Sequence, residues 1–341
     1  MAVQLKNLNE QVIVLTGATS GIGLVTARMA AERGAKLVLA ARNEETLKQL
    51  TDEINRSGGE AVYVTADVGS EGDVKKIAAE ALNKFGNFDT WINNAGISIY
   101  GKLEDVPIED FRQLFETNFW GVVYGSLVAA RNLQLNGGAI INVGSTLSDR
   151  AIPLQGMYCA SKHAVKGFTD ALRMELEGDQ LPISVTLIKP AAIDTPYKEH
   201  ARNYLSTEPE NPPPVYAPDT VAEAILYCAE NPVRDLFVGG AAKAHSLMGK
   251  YAPRLTDKVM SATYLGQTRS SEPAKPHTQE SLYESKDSSL NERGTYDGHV
   301  AESSIYTKAS LHPIAAGAGA AGLALAAGLA YSMFKRSQRD H

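Results

Sequence analysis

From residue 11 to about residue 240, short runs of β-branched and other apolar residues alternate with longer stretches whose apolar positions recur at helical spacing. The runs VIVLTG, KLVLAA, AVYVTAD, TWINNAG, AIINVGS, ISVTLIKP and LFVGG predict seven strands. Helices are expected over residues 22–33, 44–57, 108–135, 157–176 and 218–230. Strands with little polar alternation, separated by helices, indicate βαβ units, because a strand covered on both faces has no solvent side to mark. The expected fold class is therefore α/β, a doubly wound parallel seven-stranded sheet. Such sheets bind ligands outside the carboxyl ends of their strands, where the strand order reverses.

After residue 265 the pattern changes. Residues 266–312 are rich in Ser, Glu, Lys, Thr and Gly, show almost no apolar periodicity, and are expected to form a disordered linker to the domain at 1–265. Residues 313–334 contain the uncharged run IAAGAGAAGLALAAGLAYSMF at 314–334, and 335–341 form a basic tail with Lys335, Arg336 and Arg339. At a helical rise of about 1.5 Å per residue the run matches a hydrocarbon core of about 30 Å, so a transmembrane or membrane-associated helix is expected there. Its many Ala and Gly residues make insertion marginal, and a helix lying in the interface is the other expectation.

Composition narrows the function. With 44% hydrophobic residues the chain can bury a large core, while a net charge of −6 supplies no basic face for nucleic acid. Only two cysteines, Cys159 and Cys228, are present, which rules out a disulfide framework. The opening residues lack the apolar run of a secretory signal, so a cytosolic catalytic domain is expected, anchored at most by the C-terminal helix. No metal ligands are assigned.

The first strand runs into Thr16-Gly17-Ala18-Thr19-Ser20-Gly21-Ile22-Gly23 and then a helix. Glycines let the backbone approach a pyrophosphate closely, and the helix N-terminus offers it N–H groups and a positive dipole end. The second strand ends in Ala40-Ala41-Arg42, with no acid to accept hydrogen bonds from the ribose 2′-hydroxyl of NAD. Arg42 can instead fork onto a 2′-phosphate, so NADP is expected in preference to NAD.

Tyr158 and Lys162 lie one helical turn apart on one face. A tyrosine there can act as acid or base toward a carbonyl or alcohol oxygen, with the lysine's positive charge expected to lower its pKa. Ser145, just beyond the AIINVG strand, is placed to hydrogen-bond the same oxygen. His163 is one residue off that face and receives no catalytic role.

Taken in order, TGATSGIG, Asn93-Asn94-Ala95-Gly96, Asn118, Ser145 and Tyr158-Cys159-Ala160-Ser161-Lys162 resemble the short-chain dehydrogenase/reductase family over roughly residues 8–240. The resemblance implies a Rossmann-like fold and an oxidoreductase with Asn118, Ser145, Tyr158 and Lys162 as its catalytic set. It places Gly17, Ser20, Gly21, Ile22 and Gly23 at the pyrophosphate, Asp67 and Val68 at the adenine, and Asn94, Ala95 and Gly96 along the cleft. Tyr158 and Lys162 would also contact the nucleotide, Lys162 at the nicotinamide ribose, Asn118 would hold a water in a proton relay, and Ile193 and Thr195 would meet the carboxamide. Ala191 stands where the family has glycine, which puts the local backbone in question.

The resemblance further implies a homo-oligomer built on the helices at 109–135 and 157–176. The segment 196–218 is expected as a substrate lid, with Tyr197, Tyr204 and Tyr216 as its aromatic wall. The substrate is a small carbonyl or alcohol of unspecified identity. A nucleotide-sensing or membrane-tethered scaffold protein on the same fold is the competing expectation, and loss of Tyr158 or Lys162 would have favoured it.

Overall fold

The computed structural model describes residues 3–267, 269–276, 280–285 and 289–312. Seven strands form one parallel sheet: β1 (Val12–Thr16), β2 (Lys36–Ala41), β3 (Glu60–Thr65), β4 (Thr90–Asn93), β5 (Gly138–Val143), β6 (Ile183–Pro190) and β7 (Asp235–Val238). Their spatial order is β3-β2-β1-β4-β5-β6-β7, so the order reverses between β1 and β4. Every residue of β1, β5 and β6 is buried, which explains their unbroken apolar runs. One layer of core, around Leu15, Leu37, Ile141 and Ile225, covers one face, and another, around Val14, Val38, Trp91 and Ile140, covers the other.

Helices α1 (Gly21–Glu32), α2 (Glu44–Arg56), α3 (Glu71–Phe85), α4 (Ile108–Phe115), α5 (Gly121–Leu133), α6 (Gly156–Gly178) and α7 (Pro218–Glu230) connect the strands. Helix α3 is absent from the elements expected of the sequence, although Ser70 caps its first turn and Gly86 ends it at φ +79°. The helix expected across 108–135 is broken by a π turn at Glu116–Trp120. An extra residue in the turn rotates the side chains after it around the helix axis, and here Asn118 is directed into the interior.

Beyond β7, helices α8 (Gly240–Tyr251) and α9 (Pro253–Gln267) fold back over the carboxyl ends of the strands. The stretch expected to be a disordered linker differs most from expectation. Backbone at Arg269–Pro273 pairs antiparallel with Thr207–Pro209, and Val300–Ala301 pairs with Val215–Tyr216. Helix α10 (Ile305–Leu311) buries Thr307 and Leu311, and the Gly239 N–H donates to Thr307 Oγ1 at 2.9 Å. Apart from Leu311, these contacts use backbone and small polar groups, so apolar periodicity does not report them. The run 314–334 lies outside the described residues. Among the described residues no helix is long and apolar enough to cross a membrane.

Candidate active site

The glycine loop is shaped by close approach. Gly17 adopts φ +66°, and a Cβ on Gly23 would lie 1.9 Å from the Gly17 carbonyl oxygen. Asn94, at the end of β4, donates through Nδ2 to the carbonyls of Thr16 and Gly17, which pins the loop to the next strand. At Gly96 a Cβ would stand 3.4 Å from Asn118 Oδ1 and 3.7 Å from Lys162 Nζ. The cleft floor is thus bare backbone, the kind of surface a flat, phosphate-bearing ligand can lie against.

Two cavities meet at Gly96. The smaller, of about 100 Å³, is lined by Gly17, Ser20, Arg42, Asp67, Val68 and Ala95. The larger, of about 460 Å³, takes in Ile22, Asn94, Ser145, Tyr158, Lys162, Ile193 and Thr195. Of the expected nucleotide residues only Gly21 and Gly23 line neither. Gly23 lies beneath the loop, and the Gly21 N–H donates to the Asn291 carbonyl at 2.8 Å. Asp67 also serves the turn it belongs to, accepting from the Gly69 N–H at 2.9 Å. Ala191 needs no left-handed backbone, since among the described residues Leu154 and Gln180 are the non-glycines with positive φ, and its N–H donates to Val238.

In the larger cavity, Ser145 caps a short turn, its Oγ accepting from the Leu147 N–H at 3.0 Å, and lines the wall together with Tyr158. Tyr197 packs edge-on against Tyr158 with ring centres 5.6 Å apart, and its hydroxyl accepts from Gln155 at 3.0 Å. Burial pushes the Tyr158 phenol up to about 12, and burial pulls the Lys162 ammonium down to about 8. The expectation that Lys162 lowers Tyr158 does not hold in this geometry. Lys162 Nζ donates to the Val143 carbonyl at 2.9 Å and lies 5.7 Å from the Tyr158 ring centre, so desolvation governs both groups.

Asn118 is wholly buried and brackets Ile97, accepting from its N–H at 2.8 Å and donating to its carbonyl at 2.9 Å. It also donates to Ser161 on α6, which ties the β4 loop to the helix that bears Tyr158 and Lys162. His163 Nδ1 lies 2.8 Å from the Cys159 carbonyl, a helical contact away from the cavity.

The rest of the larger cavity is mostly apolar, with Tyr100, Leu147, Ile152, Met248, Met260 and Tyr264 in its wall. Of the lid tyrosines, Tyr197 joins the wall, Tyr204 donates to Asp110, and Tyr216 belongs to the core. Asp110, at the start of α4, also accepts from Arg202 at 2.8 Å and from the Tyr283 hydroxyl at 2.7 Å. Burial alone would raise its pKa, but these donors hold the carboxyl below the ordinary range. The contributions of Gln155, Met248, Met260 and Tyr264 were missed by sequence reasoning, which had no motif for α8 and α9.

Comparison with known proteins identifies the family. The family model described as short chain dehydrogenase matches residues 11–205. The chain is 49% identical over 324 residues to the uncharacterized oxidoreductase YxnA of Bacillus subtilis, covering 94% of this chain and 91% of that protein. A short chain dehydrogenase/reductase from Burkholderia phymatum, solved in complex with NAD, superimposes with a TM-score of 0.67 at 25% identity, covering 80% of this chain and 99% of that one. An alcohol dehydrogenase from the archaeon Thermococcus sibiricus, complexed with 5-hydroxy-NADP, gives a TM-score of 0.59 at 27% identity, covering 67% of this chain and 95% of that one.

Proposed function

The chain belongs to the short-chain dehydrogenase/reductase family and is an oxidoreductase, and from that premise we propose that it interconverts a carbonyl and an alcohol with NADP(H). The observation that carries this reading is the gathering of Tyr158 and Ser145 in the wall of a largely apolar cavity, with buried Lys162 beside them. A bound nicotinamide nucleotide supplies or accepts the hydride. The chain's own residues handle the oxygen and its proton. Ser145 and Tyr158 hydrogen-bond the substrate oxygen, and Tyr158 Oη gives it a proton during reduction or removes one during oxidation. Lys162 holds a positive charge 5.7 Å from the phenol ring, with its ammonium on the Val143 carbonyl, where it would meet the nicotinamide ribose. The apolar wall selects a substrate with a hydrophobic body. A panel of ketones, aldehydes and alcohols of matched size, followed by NADPH absorbance, tests the proposal, and no turnover with any apolar member would refute it.

Reduction should depend on pH through Lys162. Its ammonium is lost as pH rises through about 8, while Tyr158 stays protonated until about 12. The expected kcat/KM for carbonyl reduction is level below about 8 and falls above it. A profile that rises through that range would count against the assigned roles.

Arg42 supports the choice of NADP, since it lines the smaller cavity and no carboxylate occupies the end of β2. Arg42→Asp should weaken NADPH by about 1–3 kcal/mol and improve NADH, by replacing a charge-assisted partner of the 2′-phosphate with a repelling one. Titration of both nucleotides checks this, and equal affinity of the native protein for the two would exclude it. A homo-oligomer is supported by apolar surface left exposed at Trp120, Leu127 and Met174, on the helices expected to pair. Light scattering should give a multiple of the 36.6 kDa chain mass.

A further inference from the structure

Two stretches beyond the family match, residues 280–285 and 289–294, lie along the outer side of the nucleotide cleft. At one end Arg42 donates through Nη2 to the Ser281 carbonyl at 2.6 Å and through Nη1 to the Tyr283 carbonyl at 3.2 Å. The Ser281 N–H in turn donates to the His200 carbonyl at 2.9 Å. At the other end the Gly21 N–H donates to Asn291, and Arg28 bridges Glu53 and Glu292. Arg293 pairs with Asp219 and Glu302, and the Gly294 N–H donates to Asp194 Oδ1 at 3.2 Å. Gly294 is pressed so closely on Thr195 that a Cβ there would lie 2.5 Å from the Thr195 carbonyl oxygen. The two stretches therefore touch Arg42, Gly21 and Thr195, residues assigned to the 2′-phosphate, the pyrophosphate and the carboxamide.

Ser281 supplies an independent pointer to a ligand. It is 4% exposed, its Oγ has no hydrogen-bond partner among the described residues, and it lines the smaller cavity together with Arg42, Asp67 and Ser285. A buried hydroxyl left unpaired is costly, and such a group in a cavity wall is explained by a partner that enters the cavity.

We propose that these two stretches form the outer wall of the nucleotide site, and that the Ser281 hydroxyl hydrogen-bonds the adenosine side of the bound nucleotide. The inference rests on the NADP(H) reading above. Its consequence is kinetic: a nucleotide held between the glycine loop and this wall leaves only when the wall lets go, so the wall's anchors set the exchange rate. Those anchors are surface ion pairs and backbone hydrogen bonds, individually weak and open to separate removal.

The test uses the full chain and NADPH fluorescence, measuring the equilibrium Kd and, by displacement with excess NADP, the dissociation rate. Ser281→Ala should raise Kd by about threefold to tenfold, the cost of one hydrogen bond. Glu292→Ala combined with Arg293→Ala should speed dissociation by roughly tenfold, the scale expected when a few weak ion pairs are removed at once. Gly294→Ala should do the same by pushing the wall off Thr195 while leaving the ion pairs intact, so a folding failure in one variant leaves the other as a test. Native Kd and dissociation rates in all folded variants would overturn the proposal. So would tighter binding with faster association, which would mean that the stretches compete with the nucleotide. If the native chain binds neither NADPH nor NADH, the functional reading itself fails; native binding with inert variants sinks the wall alone.

Discussion

Tyr158→Phe should lower turnover by roughly 10²–10⁴-fold, the usual contribution of a positioned acid or base. The ring stays, so the wall shared with Tyr197 and Lys162 keeps its shape. What disappears is the phenol hydroxyl, from a residue that shares the wall of the larger cavity with Ser145 and Tyr197. NADPH affinity should be little changed, because the smaller cavity, which Arg42 lines, is untouched by the change. Fold stability should move by about 1 kcal/mol, the worth of a single hydrogen bond. Steady-state kinetics beside a nucleotide titration checks the separation, and near-native turnover would remove Tyr158 from the chemistry.

Gly23→Ala should remove nucleotide binding almost entirely. The new methyl would sit 1.9 Å from the Gly17 carbonyl oxygen and 2.7 Å from Asn94 Nδ2, so either the loop or the start of α1 has to shift. Overpacking of this kind costs about 1–3 kcal/mol in stability. A displacement of about 1 Å in a positioning element costs about 10²-fold in function. Gly167→Ala is the matched control: a Cβ there meets nothing within 4 Å, and the position is inside α6. It should raise stability by about 1 kcal/mol through helix propensity alone. Thermal melts and nucleotide titrations on both variants distinguish a close-approach glycine from an incidental one.

Much of the sheet was legible because burial on both faces leaves a plain mark, as in VIVLT and AIINV. The placement of the candidate site was legible where side-chain chemistry and spacing coincide, as at Tyr158 and Lys162, or where backbone must come close, as at Gly23. Three things were not. The π turn at Glu116–Trp120 interrupts a continuous helical pattern, and the one glycine at its end, Gly121, fits an uninterrupted helix as well. The pKa of Tyr158 is set by burial, which spacing alone does not reveal. Residues 280–285 and 289–294 are anchored largely by main-chain carbonyls and ion pairs, such as Ser281 on Arg42 and Glu292 on Arg28, with Leu282 and Leu290 as isolated apolar contacts. A segment held in that way keeps the polar composition of an unfolded one, so the hydropathy pattern is silent about it.

Asp110 has a consequence for how the two halves of the site communicate. One of its oxygens takes the Tyr204 hydroxyl, from the segment that also lends Tyr197, Asn211 and Pro212 to the substrate cavity. The other takes the Tyr283 hydroxyl, from the chain beside Arg42. A single carboxylate is therefore shared by two segments whose neighbouring residues line the two cavities. A ligand that displaces either tyrosine changes the charge and hydrogen bonding felt by the other, and such coupling is reciprocal. By whatever factor the nucleotide alters affinity for the substrate through this carboxylate, the substrate alters affinity for the nucleotide by the same factor. Asp110→Asn should therefore bring that factor nearer to one while leaving the proton-transfer residues where they are.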